Sequence, residues 1–506
     1  MTDHNLYSIF TRHFPGDRHK TALSTPDGRQ VSFAELDYRS GKIANLLLDR
    51  GLQAGDRVTV QIEKSPEGVF LYLACLRAGL VYHPLNTAYQ RNELAFFLGN
   101  AEPRAIVCSG PYFEVMHSLA GELGIDTVFT LEADGSGSLI LEASEHEEDF
   151  TTIARAEGDM AALLYSSGTT GRPKGIMLSH GNLASNALAL VDLWGFSADD
   201  VLLHALPIFH VHGLFVAINC ALMSGARMVY LPAFNAQQVI AHLPESTVMM
   251  GVPTYYTRLL ASEAFDRQVC ANMRLFISGS APLLEETFHE FETRCGHIIL
   301  ERYGMSETGM NTSNPLQGQR KAGTVGPPLP GVSVRVVDNN GDSLPDGETG
   351  NLQVKGANVF SGYWRLPEKT AEDFTVDGFF NTGDKAVVDE DGYVAIVGRA
   401  KDMVICGGLN VYPKEIELLI DDLDGVMESA VIGVPHQDFG EAVIAVVVCE
   451  PGASISEQDV IASAKEQLAN FKVPKSVVFL KELPRNTMGK VQKAALREQY
   501  QTLLEN

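Results

Sequence analysis

LLYSSGTTGRPKGIMLSH, residues 163–180, gathers Gly168, Gly171, Gly175 and a single lysine, Lys174, among a run of hydroxyl side chains. A Walker phosphate loop requires G-x-x-x-x-G-K-[ST] with a helix starting at the lysine, so that the helix N-terminus receives the phosphates. Neither condition is met. Pro173-Lys174-Gly175 leads into IMLSH, which alternates like a strand, and helical spacing resumes only near Ser179 with NLASNALALVDL. The loop is therefore expected to join two strands. Ser166, Ser167, Gly168, Thr169, Thr170 and Gly171 are small enough for backbone N–H groups to approach an anion, and the hydroxyls and Lys174 add donors. A di- or triphosphate suits that chemistry. The bland alternative, a Gly/Ser/Thr surface turn, is disfavoured by the Pro-Lys-Gly ending.

Around this loop, from residue 31 to about 260, strand-like runs alternate with longer helix-like ones: RVTVQIE then GVFLYLACLRAG, AIVCSG then YFEVMHSLAGEL, VLLHALPIF and RMVYLPA about GLFVAINCALM. That alternation predicts an α/β architecture with largely parallel sheets. From 323 the texture changes. VSVRVVDNNGDSLPDGETGNLQVKG and KAVVDEDGYVAIVG carry Asn-Gly and Asp-Gly turns between alternating strands, predicting a small antiparallel β subdomain over about 323–399 in which helices pause. Helices return in PKEIELLIDDL, with Pro413 in the first turn and Ile416, Leu419, Ile420 and Leu423 on one face. Strands MESAVIGV, AVIAVVVC and KSVVFL and helices over 456–469 and 491–504 complete a small α+β unit. The expected division is 1–399 and 400–506.

Composition limits the partners. At 506 residues the chain is too long for one core, and 45% apolar with 20% charged residues is an ordinary globular balance. A net charge of −24 opposes nucleic acid, so none is expected. The seven cysteines form no C-x-x-C pair and read as reduced thiols. MTDHNLYSIFTRHF lacks a secretory h-region, and no apolar run is long enough to span a bilayer, so the expectation is a cytoplasmic chain without membrane contact. Oligomeric state is not written in these residues.

The phosphate loop resembles the signature of adenylate-forming acyl-CoA synthetases, AMP-forming ligases that include luciferases and peptide-synthetase adenylation domains. Further motifs of that family follow in order: ISGSAPL (277–283), RYGMSET (302–308), YWRLPEKT (363–370), FFNTGD (379–384), GRAKDMVICGGLNVYP (398–413) and LPRNTMGK (483–490). The resemblance implies a large N-terminal domain and a small mobile C-terminal domain carrying a catalytic lysine, Lys490. It implies ATP, Mg²⁺ and coenzyme A. Both reactants of the first half-reaction are anions, and Lys490 is the cation expected between carboxylate and α-phosphate. Glu307 is the expected metal carboxylate, with Thr170 as helper, since Mg²⁺ takes few protein oxygens beside those of the phosphates. The resemblance puts Asp384 at the ribose hydroxyls and Arg399 at ribose or phosphate, and makes Tyr303 a face for adenine flanked by Gly279, Ser280, Ala281 and Pro282, with Gly304, Met305 and Ser306 also binding ATP. For the thiol to attack where Lys490 had stood, the small domain must rotate. The resemblance puts the hinge at Lys401, where many relatives carry Asp, and lines the pantetheine passage with Gly408.

Within the family, HALPIFHVHGLF, GVPTYYTRLL, RLFISGSAPLL and ERYGMSETGMNTSNP resemble members that activate malonate. His210 is then the gate beside the acid and His212 packing. Arg258, in an otherwise apolar segment, is expected to meet the distal carboxylate of malonate, because a buried arginine is costly unless an anion meets it. Ser280 and Met305 complete a short pocket. Methylmalonate or another short acid, a medium-chain or aromatic acid if Arg258 faces away, and a carrier protein loaded in trans remain alternatives to malonate and CoA. A binding protein without ligation is disfavoured by the intact Lys490, Glu307 and Asp384.

Overall fold

A computed structural model describes residues 3–165, 173–399, 402–406, 409–436, 440–468, 470–486 and 489–504. Two mixed sheets build the large N-terminal part. In the first, Leu300–Met305, Leu275–Ser278, Val248–Gly251, Val201–His204, Arg227–Tyr230 and Thr21–Ser24 run parallel in that order, with the antiparallel Gly309–Ser313 and Gln30–Ser32 at the edges. In the second, Thr127–Thr130, Ala105–Cys108, Arg57–Gln61, Val81–Pro84 and Met160–Tyr165 are parallel neighbours, followed by the antiparallel Gly175–Ser179 and Gly362–Tyr363. The α/β expectation holds, and so does the strand-to-strand reading of the opening stretch. Met160–Tyr165 and Gly175–Ser179 pair directly, with Tyr165 opposite Gly175. The helix His180–Leu193 follows at once, its first turn closed by a capping box between Ser179 and Asn182.

The apolar run GVFLYLACL owes its pattern to burial on every side. Its helix, Pro66–Arg77, is buried at every residue, with Ser65 as N-cap and Pro66 in the first turn. The charges at its two ends are paired: Glu67 with Arg29 at 2.5 Å and Arg77 with Asp37 at 3.1 Å. The run GLFVAINCALM is not a simple α-helix. It opens as a π-helix, His212–Ile218, before the α-helix Asn219–Ser224. Wide turns of this kind concentrate at functional sites.

Beyond these sheets, Val332–Val337, Gly350–Gly356, Phe380–Val388 and Val394–Arg399 form the antiparallel four-stranded sheet that the Asn-Gly and Asp-Gly turns predicted. One expectation fails here. Helices do not pause throughout, because Pro367 starts a short helix, Pro367–Asp373. Together with Gly362–Tyr363, that excursion leaves the hairpin sheet and covers the strand following the phosphate loop.

The small C-terminal domain is built on Val404–Cys406, Leu409–Val411, Val426–His436, Gly440–Cys449 and Ser476–Leu480. Side chains of its long central strands alternate between two cores: Val431, Val443, Ala445 and Val447 on one face, and Ala430, Ile432, Val434, Ile444, Val446 and Val448 on the other. AVIAVVVC therefore reads as an unbroken apolar run. Ile416 and Ile420 of the helix Pro413–Asp421 are buried in the first core, with Leu419 and Leu423 partly buried beside them.

The strands that carry the site are tied at their far ends by one ion pair. Arg274 meets both oxygens of the buried Asp200 at 2.7 Å and donates to the carbonyls of Trp194 and Gly195 at 3.0 Å. Thr247 Oγ1 donates to Asp200 at 2.7 Å. Burial would raise the Asp200 carboxyl, but these donors hold it below its ordinary value. A group so depressed stabilises the fold above its unfolded pKa, and that stability is lost as pH falls through the folded value. Asp200→Asn is expected to lower the unfolding free energy by about 2 kcal/mol, since Arg274 is partly wetted. Urea titration followed by Trp194 fluorescence checks this, with the deficit shrinking as the pH falls below about 4.

Candidate active site

The strand Leu300–Met305 and the turn after it carry most of the cleft. Tyr303 donates its hydroxyl to Asp384 Oδ2, and Arg399 Nε lies 2.7 Å from Asp384 Oδ1. The sheet register sets this triad, because Asp384 and Arg399 are direct partners on adjacent strands. Arg399 is held above its ordinary value: burial alone would lower it, but Asp384, Tyr303 and Glu307 more than compensate. Glu307 stands in the turn between Leu300–Met305 and Gly309–Ser313 and is 7% exposed. Burial pushes its carboxyl up, against the pull of Arg399 and Lys174. Lys174 lies 3.8 Å from Asp373 and 4.2 Å from the centroid of Tyr363, so the Gly362–Asp373 excursion supplies its seat. Cations and carboxylates thus alternate along one wall. A nucleoside triphosphate fits it, with Lys174 and Arg399 for phosphate oxygens and Asp384 for hydroxyls.

The neighbouring pocket holds a cation of another kind. Arg302 is 3% exposed, and its Nε and Nη2 are buried without a hydrogen-bond partner among the described residues. Gly279 makes room for it, since a Cβ there would come within 2.3 Å of the guanidinium carbon. Next along, Ser280 has a positive φ of 73°, a strained value for a non-glycine residue. Its Oγ lies 3.3 Å from His212 Nδ1. Burial, then the charges of Lys490 and Arg302, push His210 down to about 3, so its imidazole is neutral at ordinary pH. His212, buried, is pushed down by burial and by Arg302.

Arg302 is not neutralised by the acid beside it. Successive strand residues face opposite ways, and Glu301 accepts the Leu283 N–H at 3.1 Å. Burial pushes the Glu301 carboxyl up to about 8, only partly opposed by Leu283, Lys414 and Arg302. Burial thus favours its protonated form.

Lys490 enters this space from the small domain. Its loop is closed by Asn486, whose side chain accepts the Lys490 N–H at 3.0 Å and whose own N–H reaches the Lys490 carbonyl at 2.9 Å. Gly489, at φ 75°, brings the loop against Thr254 of the large part. The Lys490 side chain keeps access to solvent in the open cleft. The protein around it, then Arg399, lowers its ammonium below the ordinary 10.5, while Asp384 and Glu307 push the other way.

The structure therefore brings Lys174, His210, Ser280, Tyr303, Glu307, Asp384, Arg399 and Lys490 to one cleft. Met305 lies beside them, with its sulfur 3.9 Å from the Tyr303 hydroxyl. Gly304 packs against the Gly309 carbonyl, where a Cβ would come within 2.1 Å. Ala281 and Ser306 are partly exposed and Pro282 exposed. Ser166, Ser167, Gly168, Thr169, Thr170, Gly171, Lys401 and Gly408 lie outside the described residues.

The helix Pro253–Leu260 buries Tyr256, Leu259 and Leu260, and its periodicity turns Thr257 and Arg258 to solvent. The buried guanidinium is that of Arg302, the first residue of RYGMSET, to which the motif alone gives no role. His212 is also more than packing, through Ser280. Two adjacent charges, Glu301 and Arg302, inside an otherwise apolar strand were the signal that could have found the pocket.

Such a cleft, an anion wall beside a separate acid pocket with a lysine arriving from a second domain, defines an adenylate-forming enzyme. The chain belongs to the AMP-binding enzyme family: the model for AMP-binding enzymes matches residues 10–364 and that for the AMP-binding enzyme C-terminal domain matches 415–490. It is 34% identical to malonate–CoA ligase of Arabidopsis thaliana, over 93% of this chain and 85% of that protein. It is equally, at 34%, identical to indoleacetate–CoA ligase of Aromatoleum aromaticum, over 95% of this chain and 96% of that protein. Among solved structures, ATP-bound MatB from Rhodopseudomonas palustris is 55% identical, with TM-score 0.97 over 99% of this chain and 100% of that one. Apo MatB gives 0.87 at the same identity and coverage.

A group with its folded pKa raised stabilises the fold below its unfolded pKa, and that stability is lost as pH rises through the folded value. Between about pH 5 and 8, the thermal midpoint of the parent is therefore expected to fall relative to that of Glu301→Gln. Parallel thermal melts over that range check it.

Proposed function

We propose that the chain ligates malonate to coenzyme A with ATP, through malonyl-AMP, releasing AMP and pyrophosphate. Equal identity to malonate and indoleacetate ligases means that family membership alone does not choose the acid. The observation that carries the choice is the buried guanidinium of Arg302, whose Nε and Nη2 have no hydrogen-bond partner among the described residues, beside His210 and Ser280. An indole or phenyl ring would leave that charge desolvated and unpaired, at a cost of several kcal/mol. A second carboxylate pairs with it and accepts its two idle N–H groups.

The half-reactions follow. Malonate binds with its distal carboxylate on Arg302 and its reacting carboxylate towards Lys490. The neutral His210 imidazole walls the pocket without drawing the reacting carboxylate to itself. The Lys490 ammonium lies between that carboxylate and the α-phosphate, offsetting the repulsion of two anions and the charge that builds up as they combine. A carboxylate oxygen attacks α-phosphorus and the bond to pyrophosphate breaks. Asp384 accepts from the ribose hydroxyls, and Lys174 and Arg399 bind phosphate oxygens. Glu307, with Thr170, would hold Mg²⁺; the buried anionic oxygen donor suits that ion, which when bound neutralises the leaving pyrophosphate. For thioester formation we place a domain boundary at 399/400, a hinge at Lys401 and the pantetheine passage at Gly408. Rotation then withdraws Lys490 and admits the thiol, which displaces AMP from the acyl carbon. A cytoplasmic location is part of the proposal, supported by seven free cysteines. No helix among the described residues is long and apolar enough to cross a membrane.

Arg302→Met is expected to raise KM for malonate at least about a hundredfold while KM for ATP stays within about twofold, and Arg258→Ala to leave both near the parent values. Lys490→Gln is expected to cut acyl-AMP formation by at least about a hundredfold. In the parent, adenylation should decline with rising pH at a value below 10.5, as the Lys490 ammonium loses its proton. Pyrophosphate release and CoA-ester identification across a panel of acids check all four; an inert malonate with an active aromatic acid overturns the reading.

A further inference from the structure

A second buried cation lies outside the machinery above. Lys64, just past the strand Arg57–Gln61 of the second sheet, is 8% exposed and reaches across to the first sheet. It is paired with no carboxylate by any ion pair among the described residues. Its Nζ lies 2.8 Å from His204 Nδ1 and 2.9 Å from the His204 carbonyl, and 4.3 Å from the centroid of Tyr230. Two lone-pair acceptors and one aromatic face therefore take its three N–H directions. His204 and Tyr230 are the last residues of neighbouring parallel strands, opposite each other in the register, and are 1% and 2% exposed.

The far side of His204 leads into the acid pocket. His204 Nε2 is 2.8 Å from the carbonyl of Gly213. A carbonyl only accepts, so Nε2 carries the proton and Nδ1 is bare, which is the form that takes an N–H from Lys64. Gly213 is the second residue of the π-helix and follows His212. The turn leading to it is tight, since a Cβ on Gly213 would come within 2.0 Å of the Pro207 carbonyl oxygen. Pro207–Gly213 carries His210 and His212, and His212 reaches Ser280 at 3.3 Å. The relay runs from one sheet, through an imidazole held in one tautomer, to the backbone that presents the pocket wall.

We infer that Lys64 and His204 are positioning residues for acid recognition, fixing the Pro207–Gly213 segment by a directional hydrogen bond to the Gly213 carbonyl. Burying an ammonium without a carboxylate is a poor way to stabilise a core; an apolar side chain of similar length would do so at lower cost. The polar relay does what packing cannot, which is to set one carbonyl's direction and thereby the angle of the two histidines. Burial lowers both groups, and Lys64 lowers His204 further, so the imidazole stays neutral. This inference rests on the acid pocket assigned above.

The test compares Lys64→Met, His204→Leu and His204→Gln with the parent in steady-state ligation. The Gln amide nitrogen can stand in for Nε2 toward Gly213. Lys64→Met and His204→Leu are expected to raise KM for malonate by about tenfold or more with KM for ATP within about twofold, and His204→Gln to recover most of that loss. Unchanged malonate KM overturns the inference. So does an equal rise in both KM values together with a lowered thermal midpoint, which marks packing alone. Should the variants not fold, ¹⁵N-histidine NMR of the parent decides: a protonated Nε2 and bare Nδ1 at His204 support the relay, and the opposite tautomer ends it. A parent that makes no malonyl-CoA refutes the proposed function, whereas an active parent with indifferent variants refutes only this inference.

Discussion

A positive charge buried without a partner is the constraint on which the site depends. Taking a guanidinium out of water is expensive, and folded proteins ordinarily repay it with a carboxylate or a set of acceptors. Arg302 has neither in the described structure, although a glutamate is its sequence neighbour. Strand alternation sends Glu301 to the other face, and burial favours the protonated form of that carboxyl. The protein therefore carries a buried guanidinium whose Nε and Nη2 meet no acceptor among the described residues. Gly279 makes room for the guanidinium, and the strained backbone of Ser280 follows it in the chain.

The same economy of charge organises the rest of the cleft. Asp384 is held by Tyr303 and Arg399 across a strand pair, while Glu307 and Lys174 stand further along the wall. Lys490 is delivered by the small C-terminal domain. A cation that must be present for the first half-reaction and absent for the second is best placed on a body that can leave. Its pKa is lowered first by the protein that surrounds it and then by Arg399, with Arg302 adding to the effect.

Much of this was legible in the residues. The alternation of apolar runs located the parallel sheets, the Asn-Gly and Asp-Gly turns located the hairpin sheet, and Ser179 marked the helix start. Motif order alone groups Tyr303, Glu307, Asp384, Arg399 and Lys490. What was not legible depended on which side of an element faces inward. Arg258 and Arg302 are both arginines among apolar neighbours. Only the packing of the helix Pro253–Leu260, and the direction of one strand residue, separates the solvated one from the buried one. The short helix Pro367–Asp373 and the seat it gives Lys174 were likewise hidden, because a chain excursion between two sheets leaves no periodicity. Lys64 and His204 each looked like a charge at the end of a strand, and nothing in either segment announces that they meet.

The most direct measurement is the ratio of kcat/KM for malonate to that for its monoamide, which keeps the shape and the reacting carboxylate but removes the second charge. A guanidinium awaiting an anion predicts a preference for malonate of at least about a hundredfold, since the amide leaves the buried charge unpaired. Comparable values for the two acids would contradict the account.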